Sequence, residues 1–343
     1  MAFSTFLAST SRSRPIMAAL TIMILIALFL AGPSPAIAKD NVSKLLRTTS
    51  IPSIRSSNSS TVSANPASAV EPRTRDVLLY AYYETEDAKH NLQFFLNHGL
   101  HHKIDFVFII NGDHLTVDIP VADNIRVIRR DNTCYDLGTF GEIIKSEGGA
   151  LRKKYERFIL MNSSIRGPFL PGWARNLKTC WSDIFYSALS ETTKLTGITA
   201  NCDADYRQHL QSMILALDRV GLDLIMPSLQ CAGSMGQAIM EGETTLTMNV
   251  REAGFDAEPL YSLRHNREYA NTEEFWEHCD NNDIFFPYRN GGMDAHPFDT
   301  IFVKTLRKDS NGVVPGYTES GQFVLDRLTQ WADDSKYSSY DYC

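Results

Sequence analysis

The chain reads IRVIRRDNTCYDLGTFGEII over residues 125–144 and RFILMNSSIRGPFLP over residues 157–171. In each stretch a short apolar run of strand composition empties into a cluster of small polar residues. Strands that open into polar loops along one edge of a parallel sheet are where α/β proteins bind nucleotides and related ligands. The two exits together therefore predict an α/β fold and a ligand site at its strand ends.

Working outward, strand and helix signals alternate. VLLYAYYE (77–84) and DFVFIING (105–112) read as buried strands, with a helix of apolar period over 88–100 between them. NIRVIRR (124–130) and RFILM (157–161) are further strands, separated by a helix from about Leu137 to Glu147. Beyond them the pattern predicts a helix at 181–191, a strand at 195–202, a helix at 209–221, a strand at 223–229, a helix at 244–254 and a strand at 257–263. Alternation of this kind specifies a doubly wound, mostly parallel sheet with helices on both faces. No GxGxxG follows the first strand, and there is neither a GxxxxGK[ST] nor a GxSxG motif. Dinucleotide-binding, P-loop and α/β-hydrolase readings are disfavoured accordingly.

The start of the chain is different. Ile16–Ala31 is apolar except for Thr21, follows Arg12 and Arg14, and leads into Ala36-Ile37-Ala38. Residues 1–38 thus read as a signal peptide or as a short signal anchor, which would make the membrane a partner if the segment is kept. Residues 39–75 are rich in Ser, Thr, Asn, Ala and Pro and read as a disordered stem, with sequons at Asn41 and Asn58. Residues 76–343 are expected to form the globular domain. Both readings of the N-terminus send it into the secretory pathway, either to the Golgi membrane with a lumenal domain or, if cleaved, outside the cell. The net charge of -7, with no long basic run, argues against a nucleic-acid partner. Six well-separated cysteines show no zinc-ligand spacing and leave the disulfide pairing undetermined.

The candidate residues lie at the strand exits. Tyr83, Glu84, Asn111 and Gly112 close the first two strands. In RRDNTCYDLG, which also holds Asn132, Arg130 can pair with phosphate, Asp136 can accept from sugar or ribose hydroxyls, and Gly138 permits close backbone approach to a ligand. Asp136 can equally cap a helix beginning at Leu137. In LMNSSIRGPF, Asn162, Ser163 and Ser164 end the strand, and Arg166 offers a positive charge. The order of these segments over roughly Val77–Leu263 resembles GT-A type glycosyltransferases, and within them the rhamnan-synthesis or capsular-polysaccharide glycosyltransferase family.

That resemblance implies a GT-A-like fold, a nucleotide-sugar donor and a glycan or glycoconjugate acceptor. It aligns Asn162-Ser163-Ser164 with the position where most GT-A enzymes carry Asp-x-Asp to hold Mn²⁺ or Mg²⁺, so a requirement for either ion stays open, with Arg166 as an alternative source of positive charge. His209, Gln211 and Ser212 fall on a similar His-x-Gln-Ser segment and imply acceptor contacts or support. GETTLTMNVREAGFDAEPLY places Glu243 at the general-base position of an inverting transfer, next to Thr244 where Asp is common. His296 and Lys304 match a tail motif whose basic residue faces the leaving diphosphate. Each also has a purely structural reading, as a turn, a helix start or a packing residue. The reading that follows is a transferase moving a sugar to a hydroxyl. The alternative is a catalytically silent relative that binds glycan or a partner, favoured by the missing Asp-x-Asp and by Thr244.

Overall fold

The computed structural model describes residues 74–203, 206–265, 271–279, 283–305, 307–309, 312–314 and 316–343. The segments read as a signal or anchor (1–38) and as the stem (39–73 of 39–75) lie outside the described residues. Among the described residues no helix is long and apolar enough to cross a membrane.

Seven strands form the central sheet: β1 (Asp76–Tyr82), β2 (Asp105–Asn111), β3 (Ile125–Arg130), β4 (Arg157–Asn162), β5 (Thr193–Gly197), β6 (Ile214–Asp218) and β7 (Asp256–Pro259). Their spatial order is β7-β5-β6-β4-β1-β2-β3. All neighbours run parallel except β6, which is antiparallel to both β4 and β5. β1 is buried at every position and lies between β2 and β4, pairing Leu79 with Val107 on one side and Leu160 on the other. Strands covered on both faces need unbroken apolar runs, which is what 77–82 and 106–110 supply. β3 closes one edge, with Arg126, Val127 and Arg129 exposed and the other positions half-buried, and its charges discourage edge-to-edge pairing.

The helices follow the strands. α1 (Glu86–His98) starts at Thr85, whose hydroxyl accepts from the backbone N–H of Ala88 at 3.2 Å, and buries Leu92, Phe94 and Phe95. α2 (Asp136–Lys154) breaks at Ser146–Gly149, close to the expected end at Glu147. α3 (Trp181–Ser187) buries Trp181, whose indole N–H donates to the carbonyl of Gly99 at 2.8 Å.

The sequence reading errs over 209–229. The expected helix at 209–221 is instead a short bridge at His209–Leu210, a turn and the strand β6, and the expected strand at 223–229 is α4 (Arg219–Ile225) followed by a helical turn at Met226–Ser228. Met213 to Leu217 are all buried in the middle of the sheet, and an apolar run of this length fits a helix stripe and a two-faced strand equally well. Asp218 sets the switch by capping α4, accepting from the Gly221 N–H at 2.8 Å. Helix α5 (Thr244–Glu252) and β7 appear where expected, and a longer α6 (Glu319–Ser335) lies near the C-terminus.

The six cysteines pair as 134–231, 180–343 and 202–279. Each bridge joins segments far apart in sequence, so each removes substantial freedom from the unfolded chain, worth roughly 2–4 kcal/mol apiece.

Candidate active site

The strand order reverses at β1: β2 and β3 extend to one side, β4 to the other. A crevice outside the carboxyl ends of strands forms at such a switch point. A cavity of about 570 Å³ occupies it, walled by Tyr83 after β1, Asn111 ending β2, Asn132–Asp136 after β3 and Asn162–Ser164 ending β4.

The floor is a fixed polar network. Asn111 is buried; its amide N–H donates to the carbonyl of Tyr82 (3.2 Å), and its Oδ1 accepts from Arg130 Nη1 (2.6 Å) and Thr139 Oγ1 (3.2 Å). Arg130 also donates to Thr133 Oγ1 (3.1 Å) and forms an ion pair with Glu142. The guanidinium expected to meet phosphate therefore ties the loop after β3 to β2 and α2. A further bond runs to Thr139 Oγ1 (3.1 Å), and Thr139, Glu142 and Asn111, nine, twelve and nineteen residues away in sequence, come together around it only in the fold.

Asp136 and Asn162 line the same cavity. The Asn162 amide donates to Asp136 Oδ2, while Asp136 Oδ1 accepts from the Leu137 N–H at 3.0 Å. Asn162 Oδ1 accepts from the backbone N–H (3.1 Å) and hydroxyl (2.7 Å) of Ser164, which fixes the amide's orientation. The helix-cap reading of Asp136 changes: α2 starts at Asp136 itself, and Tyr135 occupies the cap without a side-chain bond. Desolvation, then the charge of Glu243, raise the Asp136 pKa above the ordinary carboxylate value, against the opposing bonds from Asn162 and Leu137 and the charge of Lys304. Asp136, Glu243 and Lys304 thus share one electrostatic neighbourhood.

Glu243 ends a π-helical turn over Ala238–Glu243, directly before α5. Its Oε1 accepts from the N–H (2.7 Å) and hydroxyl (2.8 Å) of Ser212. Ser212 supports the carboxylate from behind. The other two members of that segment are internal: Gln211 joins Thr199 Oγ1 (2.7 Å) to Asp283 Oδ2 (3.2 Å), and His209 Nδ1 sits 2.5 Å from the carbonyl of Arg207. Both are buried, which leaves them no surface for an acceptor. Thr244 is also buried, its hydroxyl donating to the Met240 carbonyl at 3.0 Å.

Lys304 reaches the neighbourhood through a short antiparallel pair, Val303–Lys304 against Ile165–Arg166, in which it faces Ile165. Thr305 N–H donates to the Ser164 carbonyl (3.2 Å), and the buried Asn91 amide donates to both the Ser163 carbonyl (3.0 Å) and Thr305 Oγ1 (2.8 Å). The β4 exit is thereby pinned to the 303–305 segment. Arg166 turns elsewhere, donating to Asn91 Oδ1 (3.1 Å) and Thr329 Oγ1 (3.4 Å), outside the cavity wall. Desolvation lowers its pKa, offset by Asp326, Asp87 and Asp333.

Glu84 is outside the wall too. It accepts from the N–H (2.6 Å) and hydroxyl (2.8 Å) of Thr116; burial alone would raise its pKa, but these bonds and the charge of His114 hold it below the usual value. Gly112, at φ +89°, adjoins Tyr83 and Asn132. His296 lines a different cavity and accepts at Nδ1 from the Phe298 N–H (3.2 Å).

Gly138 corrects one expectation. A Cβ there would lie 2.8 Å from Cys231 Cα and 2.8 Å from the Gln230 carbonyl oxygen, and one at Gly141 would lie 2.0 Å from the Leu229 carbonyl oxygen. The close approach these glycines permit is to residues 229–231, not to a ligand. The Cys134–Cys231 bridge clamps the same contact, and Ala232 and Gly233 beyond it complete the cavity wall. Sequence reasoning missed this wall; the glycine- and serine-rich run CAGSMGQ (231–237) was the signal available for a loop there.

The donor set is a poor one for a divalent cation. Hard cations are held by several oxygens, Mg²⁺ at phosphate sites by one or two carboxylates together with the phosphates. Of the residues walling the cavity only Asp136 carries a carboxylate, and the grouped potential ligands found among the described residues both include cysteines joined in disulfides.

No protein-family model and no curated protein matches the sequence. Solved structures do. A mannosyltransferase from Pyrobaculum calidifontis, in complex with GDP-Man and Mn²⁺, is similar at 8% identity with a TM-score of 0.33, over 54% of this chain and 54% of that one. A protein from Desulfovibrio desulfuricans G20, provisionally described as a nucleotide-diphospho-sugar transferase, is similar at 14% identity with a TM-score of 0.31, over 59% of this chain and 90% of that one. The chain thus spans about half the length of the mannosyltransferase. Likeness this partial says nothing about chemistry, which has to come from the cavity.

Proposed function

We propose that the chain is a glycosyltransferase of GT-A-like architecture that moves a sugar from a nucleotide-sugar donor to a hydroxyl of a glycan or glycoconjugate, with inversion. The observation that carries this reading is the convergence of Asn111, Asn132, Asp136, Asn162 and Ser164 on one switch-point cavity, with the charges of Glu243 and Lys304 acting on Asp136 from outside its wall. A nucleotide-sugar needs hydrogen-bonding groups for its hydroxyls, a cation for its diphosphate and a base for the incoming hydroxyl.

In this scheme Tyr83, Asn111 and Asn132 receive the nucleoside end, and Asp136 with Asn162 and Ser164 orients the sugar. Lys304 offsets the charge that develops on the leaving diphosphate, in a place where a preorganised cation needs little rearrangement. Glu243, held by the two donors of Ser212, takes the acceptor proton as the oxygen attacks the anomeric carbon from the face opposite the leaving group. No step passes through a metal. The rival reading, a silent glycan-binding relative, draws on the bonds already satisfied at Asp136 and on the buried Thr244.

The three disulfides suit an oxidising compartment, in keeping with a secretory destination for the chain, either anchored in the Golgi membrane or secreted. Titration with UDP and GDP, with and without Mn²⁺, tests the proposal. It predicts binding of one nucleotide in either condition, and absence of binding in both would sink it.

A further inference from the structure

A second cavity of about 570 Å³ lies on the C-terminal part of the chain. Its wall combines the exposed ring of Tyr288 and the exposed Met293 with the polar groups of Asn290, Asp294, His296 and Asp299. Asn290 is buried, and its Oδ1 has no hydrogen-bond partner. That oxygen has almost no accessible surface, so the groups a ligand can touch are the others of the wall.

The other polar groups are held in place. Asp294 accepts at Oδ2 from the N–H (3.0 Å) and hydroxyl (2.5 Å) of Thr318 and at Oδ1 from the Tyr288 N–H (3.1 Å). Asp299 accepts from the Ser262 N–H at 3.0 Å. Because His296 Nδ1 accepts from the Phe298 N–H, the proton of the neutral ring sits on Nε2, which makes that nitrogen a donor. Tyr288 holds a backbone φ of +63°, a conformation that residues with a side chain rarely adopt. Such strain persists where the surroundings fix it, and it gathers at binding sites.

A flat exposed ring, an exposed thioether, fixed carboxylates and a ring donor make a surface suited to a polyhydroxylated ligand with apolar faces. We infer that this cavity binds an acceptor oligosaccharide, an inference that rests on the glycosyl-transfer reading above. The chain itself links the two places. From His296, one helical turn at Pro297–Thr300 and about four further residues lead to Lys304, a path of roughly 20 Å at most. An extended saccharide of a few sugars held beside His296 can span that range, so an acceptor of several sugars can occupy this cavity and still reach Lys304.

The test uses the full chain and defined tetrasaccharides of glucose, galactose, mannose, xylose and N-acetylglucosamine, with binding read by saturation-transfer NMR. UDP and GDP are titrated into the same preparations. At least one tetrasaccharide binds, and Tyr288→Gly weakens it about tenfold while nucleotide affinity is unchanged. Glycine suits the positive φ, so this variant keeps the fold, and the exposed Met293→Glu gives an independent second perturbation. The inference is overturned if no tetrasaccharide binds, or if binding is unaffected in both variants. Saccharide binding without nucleotide binding would instead sink the transferase reading, and nucleotide binding without saccharide binding would sink this inference alone.

Discussion

The side-chain amide of Asn162 donates to the carboxylate of Asp136, so the ends of two strand exits that lie 26 residues apart in sequence are joined inside one cavity. A carboxylate at the second position would have repelled Asp136. The asparagine instead leaves the pair with a single negative charge, so it offers a divalent ion one carboxylate rather than two.

Removing Asp136 should separate function from stability. Its folded pKa is raised, so the folded state binds this proton more tightly than the unfolded state does. The group therefore favours folding most at low pH, and that contribution declines as pH rises from the unfolded pKa through the raised folded one. Asp136→Asn should accordingly be at least as stable as the native chain at pH 7–8, with its advantage fading below the ordinary carboxylate range, while nucleotide-sugar turnover falls. Thermal unfolding across pH beside a turnover assay checks both.

Metal chelation should leave activity unchanged if, as proposed, Lys304, whose charge acts on Asp136, offsets the diphosphate. Lys304→Met should weaken nucleoside-diphosphate binding by about ten- to a hundredfold, the loss expected for a bond to a charged group of about 1.5–3 kcal/mol. Calorimetry in EDTA and in Mn²⁺ reads both. Rescue of the variant by Mn²⁺ to native affinity would count against this view.

Glu243→Gln should lower transfer by about 10²–10⁴-fold with nucleotide affinity intact. Ser212→Ala, which removes one of the two donors to the Glu243 carboxylate, should lower kcat by less and leave the donor KM unchanged. Steady-state kinetics with both substrates varied separates these.

The Cys134–Cys231 clamp can be tested at Gly138. Gly138→Ala drives a methyl group to within 2.8 Å of the 230–231 backbone and should cost about 1–3 kcal/mol. Because the displaced segment carries Ala232 and Gly233, nucleotide affinity should fall with stability. Urea unfolding paired with titration measures the two together.

The strand exits themselves were legible because polar loops after apolar runs are a local signal, and the Asn132–Asp136 and Asn162–Ser164 segments do meet in one cavity. The strand β6 was not, since Met213–Leu217 fits both periods and only its place between β4 and β5 decides. Arg130 was read as a ligand group because its partners Asn111 and Glu142 are distant in sequence. Gly138 looked like a ligand-facing glycine for the same reason: the backbone it accommodates belongs to residues 229–231, almost a hundred positions on. Glu243 and Ser212 were both identified, but not that one holds the other.

The most direct test of the central claim is release of nucleoside diphosphate from a panel of UDP- and GDP-sugars, followed by mass spectrometry in EDTA for the native chain and for Asp136→Ala. The account predicts that one donor is consumed by the native chain and spared by the variant. Consumption of no donor, in EDTA or in added Mn²⁺, would contradict it.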